Sequence, residues 1–346
     1  MPAEWEAHEA TWLSWPRRDG ISFPGLYERV PALWCRMIEE LSLGELVHVH
    51  VTDEPDEQLI RAELARSGRV RRDRVFLHRI PTDEPWCRDH GPTFVVRGPA
   101  VGLELAIVDW RYNAWGGKYP PFDQDDEVPR RIAELLDVRR FEPGIVMEGG
   151  ALDVNGMGTV LTTESCLLNP NRNPGLSRTE IERYLADYLG ARTVVWLGDG
   201  IVGDDTDGHV DDLARFVSAR AVVTIVEDDP ADENYEALQD NLCRLRAARD
   251  QDGQPLEVMT LPTPGVVERE GQRLPASYAN FYVGNEVVLV PTFAHSRDED
   301  ALAILARCFP SRRIVGVDCR DLVWGLGAFH CATQQQPRVS NPVFRL

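Results

Sequence analysis

The sequence predicts an α/β protein with a largely parallel sheet. Segments whose apolar residues recur at helical spacing alternate with short β-branched apolar runs along the chain, the pattern of strands joined by helical crossovers. No low-complexity tract, repeat or polar linker interrupts that alternation, so a single catalytic domain over residues 1–346 is expected. One stretch resists the simple answer. YVGNEVVLV sets Gly284-Asn285 between two apolar runs, which signals a tight hairpin and therefore an antiparallel pair.

The elements follow in order. YERVPALWCRMIEELSL reads as a helix and ELVHVHVT as a strand. PDEQLIRAELARSG is helical, with Pro55 near its start and Gly68 past its end. Strands follow in VFLHRI, TFVVRG and LELAIVDW, then the helix VPRRIAELL, the strand TVLTTES, the helix SRTEIERYLADYLG and the strand TVVWLG. The second half opens with FVSARAVVTIV as strand, the helix ADENYEALQDNLCRLRAARD and strands in LEVMTLP and YANFYVGNEVVLVPTF. It ends with the helix RDEDALAILARCF and the strand RIVGVD.

Composition narrows the function. A formal charge of −19 argues against a nucleic-acid partner, whereas a negative field concentrates small cations. No apolar run is long enough to cross a bilayer, and MPAEWEAHEATW lacks the basic start and apolar stretch of a signal peptide, so a cytoplasmic protein is expected. Seven dispersed cysteines without CxxC exclude paired zinc spacing. Most are expected to pack as free thiols, with Cys35, Cys243 and Cys308 on amphipathic patterns. Cys331 differs, because WGLGAFHC leads into it through glycines that allow close backbone approach and a polar Gln334-Gln335-Gln336 run follows. That run has no evident chemical reason.

Polar residues among glycines mark the remaining candidates. GDDTDGHVDD packs Asp204, Asp205, Asp207, His209, Asp211 and Asp212 together. Such a loop is most often solvated surface, and it could also hold a divalent ion. If HVDD begins a strand, His209 and Asp211 share a face. VMEGGALDVNG presents Glu148 where a strand ends and the backbone turns sharply at Gly149-Gly150. In EPWCRDHGP, Arg88 and Asp89 form either an ion pair that closes a turn or part of a site. One thiol, one histidine and three carboxylates together suit a planar guanidinium, whose N–H groups pair with carboxylates and whose carbon a thiolate can attack.

These stretches resemble the agmatine deiminases, of the guanidine-modifying superfamily that also holds arginine and peptidylarginine deiminases. The matching segments run in order from MPAEWEAHEATWLSWP through WCRDHGPTFVV, WGGKYPPFDQDDEVP, EGGALDVNG, TTESCLLNPNRNP, GDDTDGHVDDLARF and SYANFYVGNEVVLVPTF to GLGAFHCATQQQP. The resemblance implies a five-bladed pseudo-symmetric α/β propeller, the pentein fold, in place of one parallel sheet. It implies Cys331 as nucleophile, His209 as general acid/base, Asp89 and Asp211 as guanidinium ligands, and Glu148 beside the histidine. Trp86 and Trp115 would wall the substrate's aliphatic tail or meet its ammonium. The implied reaction converts agmatine to N-carbamoylputrescine and ammonia through a covalent thiouronium, a step of putrescine biosynthesis. It needs no cofactor and no metal, and leaves room for a homo-oligomer. Alternatives are another guanidine such as peptidylarginine, a metal-dependent hydrolase built on Asp204, Asp205, His209 and Asp211, and a non-catalytic binding protein.

Overall fold

The hairpin at Gly284-Asn285 sets the architecture. In the computed structural model, which describes residues 1–98 and 102–339, Tyr282–Val283 pairs antiparallel with Val287–Thr292. The Gly284 N–H closes the turn on the Val287 carbonyl at 2.8 Å. The chain then crosses through the helix Asp298–Cys308 and returns parallel in Arg313–Asp318.

The same unit recurs. Thr93–Arg97 and Glu104–Val108 form a hairpin, and the helix Val128–Leu136 leads to Arg139–Phe141. Asp153–Val154 and Thr159–Thr163 are followed by the helix Arg178–Leu189 and the strand Thr193–Leu197. Ala214–Phe216 and Ala221–Val226 are followed by Tyr235–Ala247 and Glu257–Pro262. A four-stranded sheet orders Thr333–Pro337, His8–Ser14, Leu46–Val51 and Val75–Arg79, with Val30–Leu41 and Glu54–Arg66 as its crossovers. One parallel sheet is therefore the wrong picture. Each hairpin reverses the chain before its crossover, so the strands divide into separate mixed sheets.

Local chemistry explains the elements. In Val128–Leu136 the buried Val128, Ile132, Ala133 and Leu136 share one face. Ser177 and Glu180 form a reciprocal cap at the start of Arg178–Leu189, a feature contributing about 1 kcal/mol. Gly190, at φ 76°, ends that helix in the left-handed region. Of the dispersed thiols, Cys243 is exposed and not packed, while Cys87, Cys166, Cys319 and Cys331 are buried. Among the described residues no helix is long and apolar enough to cross a membrane.

The strand Thr333–Pro337 joins the two ends of the chain. It pairs antiparallel with His8–Ser14. Here the glutamine run gains a physical account. Gln334 and Gln335 accept from Arg88 Nη1 at 2.6 and 2.7 Å, and Gln336 accepts from Trp12 Nε1 at 2.9 Å. Buried amides thus satisfy a guanidinium and an indole that apolar residues would leave unpaired.

In all of these sheets the strand at the antiparallel end is entered from a short turn. Cys87–His90, Gly149–Ala151, Val210–Asp212, the turn ending at Asn280 and Phe329–Ala332 precede those strands in chain order. Those turns meet at one place.

Candidate active site

Cys331 sits in the one-turn helix Phe329–Ala332 and is buried. Its Sγ–H faces Asp211 Oδ2 at 3.5 Å, and Asn280 Nδ2 donates to Sγ at 3.0 Å. Burial and the nearby Asp211, Asp212 and Asp89 push the thiol well above its ordinary pKa. The free protein therefore holds a thiol. A cation arriving among those carboxyls would offset them.

Asp211 and His209 lie on either side of Val210, but not on a strand as alternation suggested. Val210–Asp212 is a 3₁₀ turn, with His209 as its N-cap. Both side chains still gather in one buried cluster behind Asp89, His209 Nδ1 lying 4.0 Å from Asp211 Oδ1 and 3.6 Å from Asp89 Oδ1. Burial opposes charge on His209, yet Asp89 and its other neighbours carry the imidazole well above its usual range. Among the described residues neither ring nitrogen has a hydrogen-bond partner.

His330 is the other histidine near the thiol, and its ring is already spent. Nδ1 meets Asp211 Oδ2 at 2.6 Å and Nε2 meets Glu4 Oε2 at 2.9 Å. Glu4 also pairs with Arg215 at 2.8 Å and Arg88 at 3.3 Å. The partner of Arg88 is thus Glu4 and the glutamines, not the adjacent Asp89.

Asp89 is freed for the pocket. It lies in Cys87–His90, its Oδ1 accepting from Gly150 N at 2.9 Å and its Oδ2 from Trp115 Nε1 at 3.0 Å. Burial lifts its carboxyl to about 6 against the pull of His209. Trp115 makes that contact from a left-handed backbone, φ 55°, which costs a non-glycine residue about 1–3 kcal/mol. Gly150 forms the floor. A Cβ there would stand 2.5 Å from His209 Nδ1 and 2.7 Å from Asp89 Oδ1.

Glu148 is not at a strand end. It has extended backbone and caps the 3₁₀ turn Gly149–Ala151. Arg172 Nε grips its Oε1 at 2.6 Å and donates through Nη2 to the Thr206 carbonyl at 2.8 Å, tying Glu148 to the His209 loop. A Glu148 oxygen, Cys166 Sγ and a His209 nitrogen lie within 4.8 Å of one another, the trio that could hold a metal among the described residues. An imidazolium at His209 and a guanidinium on Glu148 both compete with an ion there. The other acidic set does not converge. Asp204 spends its oxygens on Thr206, Gly208 and His209 backbone groups, while Asp205 stands outside at the rim, bonded to the Tyr119 hydroxyl.

A cavity of about 200 Å³ opens onto Cys331 and Asp89. Trp86, Trp115 and Trp324 supply aromatic wall, Asp205 and Thr206 lie at its mouth, and among the described residues no Lys or Arg lines it. The glycines before Cys331 face these aromatics. A Cβ at Gly325 or Gly327 would meet the Trp86 ring at 2.8 or 2.7 Å. Sequence reasoning missed Asn280, Arg172 and Glu4 as supports. Each lies in a matching segment, but without charge clustering or a nucleophile to draw attention.

Against known proteins, the profile of the Porphyromonas-type peptidyl-arginine deiminases matches residues 1–337. Agmatine deiminase of Ectopseudomonas mendocina is 39% identical, over 97% of this chain and 95% of that one. The structure of agmatine deiminase from Enterococcus faecalis superposes with a TM-score of 0.90 at 36% identity, covering 98% of this chain and 95% of that chain. A cysteine-to-serine variant of C. jejuni agmatine deiminase with substrate bound gives 0.88 at 28% identity, covering 98% and 96%.

Proposed function

The chain belongs to the Porphyromonas-type peptidyl-arginine deiminase family, and from that premise we propose that it is an agmatine deiminase. It hydrolyses agmatine to N-carbamoylputrescine and ammonia, working as a single catalytic domain whose mixed sheets are the blades of a five-bladed pentein propeller. The observation that carries this reading is the cavity. It is lined by the buried Cys331 and Asp89, by Trp86, Trp115 and Trp324, and by the exposed Asp205. Agmatine has a guanidinium at one end and an ammonium at the other, matching that order. Free arginine would need a cation for its carboxylate.

In this reading Asp89 and the buried, unpaired Oδ1 of Asp211 take the guanidinium N–H groups and hold its carbon before Sγ. The bound cation offsets the carboxyls that keep Cys331 protonated, the thiol proton is lost to solvent, and the thiolate adds to the carbon. His209, protonated in the free enzyme, gives its proton to the departing nitrogen and ammonia leaves. A thiouronium remains on Cys331. The now neutral imidazole takes one proton from water, which attacks the same carbon; as the adduct collapses to the ureido carbonyl, the sulfur leaves and takes up the remaining hydroxyl proton, restoring the thiol and the imidazolium. Glu148 positions that imidazole from within its 4.8 Å neighbourhood. Trp86 and Trp115 flank the aliphatic tail.

The test is incubation with agmatine, arginine and a blocked peptidyl-arginine, with and without chelator, quantifying ammonia and ureido product. Agmatine is expected to turn over, chelator to have no effect, and Cys331→Ser to be inactive. Membership of a peptidyl-arginine deiminase family supports a second reading, peptidyl-arginine. Turnover of the peptide without agmatine would favour it.

A further inference from the structure

Four of the five site-bearing turns carry an assigned role: Asp89, Glu148, the His209–Asp211 pair and Cys331. The remaining turn ends at Asn280, just before Tyr282–Val283. Its side chain is buried and uses its whole hydrogen-bonding capacity at the site. Oδ1 accepts from the backbone N–H groups of His330 at 3.1 Å and Cys331 at 3.3 Å. Two N–H donors on that side require the amide oxygen there, which fixes the orientation of the group. The NH₂ must then face the other way. One of its hydrogens goes to Asp212 Oδ1 at 3.0 Å and the other to Cys331 Sγ at 3.0 Å.

We propose that Asn280 is a further catalytic residue, whose Nδ2–H stabilises the sulfur anion of Cys331 before attack and again when the ureido product is expelled. The inference rests on the deiminase reading and deepens it. A neutral thiol is a weak acceptor, whereas a thiolate accepts strongly, so this donor favours the anion selectively. Sγ needs such a donor, because the ionisable groups facing it, Asp89, Asp211 and Asp212, are carboxyls. Beside the backbone N–H of Ala328, Asn280 supplies the neutral side-chain donor to that sulfur. Through Oδ1 it also fixes the backbone that carries the sulfur, so a donor function must be separated from a scaffolding one.

Asn280→Asp separates them. It keeps an oxygen for the two backbone N–H groups and removes the donor to sulfur, while Asn280→Ser removes both. The readout is the pH dependence of Cys331 alkylation by iodoacetamide, followed by peptide mass spectrometry so that the other cysteines do not contribute. Agmatine turnover is measured alongside, with near-ultraviolet circular dichroism to establish folding. In both variants the alkylation profile is expected to move alkaline by about one pH unit or more, with kcat reduced about 10²-fold and KM little changed. A wild-type alkylation profile in folded Asn280→Ser or Asn280→Asp overturns the inference, whatever happens to turnover. If wild-type protein alkylates at Cys331 in an Asn280-dependent manner yet does not turn over agmatine, the inference stands and the substrate assignment fails.

Discussion

His330 Nε2 lies 2.9 Å from Glu4 Oε2, linking the N-terminal segment to the residue beside the candidate nucleophile across 326 positions. Glu4 also meets Arg88 and Arg215, and the Val283 N–H donates to it at 2.9 Å. Burial opposes its charge, and Arg215 with the other cations holds it well below the usual carboxylate range. Removing one member of a buried ionic set strands the others. Glu4→Ala is expected to cost about 3–5 kcal/mol in urea unfolding and to lower agmatine turnover by removing the anchor of His330 Nε2, leaving Asp211 as its remaining carboxylate partner. Unchanged stability would show that the cluster is not carrying the fold.

Gly150 offers the smallest test of the site. Its missing side chain leaves room beside His209 and Asp89, where a methyl group would stand 2.5 Å from Nδ1. Gly150→Ala is expected to abolish turnover while shifting the melting temperature little. Calorimetry with agmatine should find no binding in a protein whose circular dichroism is native.

The pH dependence follows from Asp89. Burial raises its carboxyl to about 6, so the folded protein prefers the proton where the unfolded chain has lost it. This group therefore favours folding most below its unfolded pKa and loses that contribution as pH rises through about 6. Guanidinium binding needs the opposite, ionised state. kcat/KM for agmatine should fall about tenfold per pH unit on the acid side of Asp89's titration. Agmatine should also raise the melting temperature of the Cys331→Ser variant more at neutral pH than in acid.

Trp115 tunes that limb. Its Nε1–H bonds Asp89 Oδ2 and lowers that carboxyl's pKa. Trp115→Phe keeps an aromatic wall but deletes the donor. The acid limb of the kcat/KM profile should move to higher pH, by about half a unit to one unit. A limb that stays in place while KM rises would assign Trp115 to tail packing alone.

Asp205 tests the tail. It is exposed at the cavity mouth and bonded to the Tyr119 hydroxyl. Asp205→Asn should raise KM for agmatine about two- to fivefold with kcat nearly unchanged. A simple alkylguanidine lacking the ammonium should show no such change.

The longer helices, most strands and the Gly284-Asn285 hairpin were legible in the sequence because apolar period and turn chemistry report them directly, whereas one-turn helices such as Glu164–Leu167 were not. The strand Thr333–Pro337 was not, since its buried positions are glutamines whose partners, Arg88 and Trp12, lie far away in the chain. The same limit explains HVDD. Local alternation suggested a strand, while the buried 3₁₀ turn is held by Asp204, which accepts from the His209 N–H. The candidate site was readable through its motif resemblance rather than its periodicity. Asn280 escaped because nothing in YANF marks a neutral amide as reactive until the sulfur is seen beside it.

The pairing of Thr333–Pro337 with His8–Ser14 has a consequence for synthesis. A ribosome produces Asp89, Glu148, His209 and Asp211 long before it reaches Cys331. Until the last strand emerges, the first sheet lacks its edge, and the glutamines that secure Arg88 do not yet exist. A nascent or prematurely terminated chain thus carries Asp89, Glu148, His209 and Asp211 but not the candidate nucleophile Cys331. In the proposed reading, chemical competence is acquired only as Thr333–Pro337 docks against His8–Ser14.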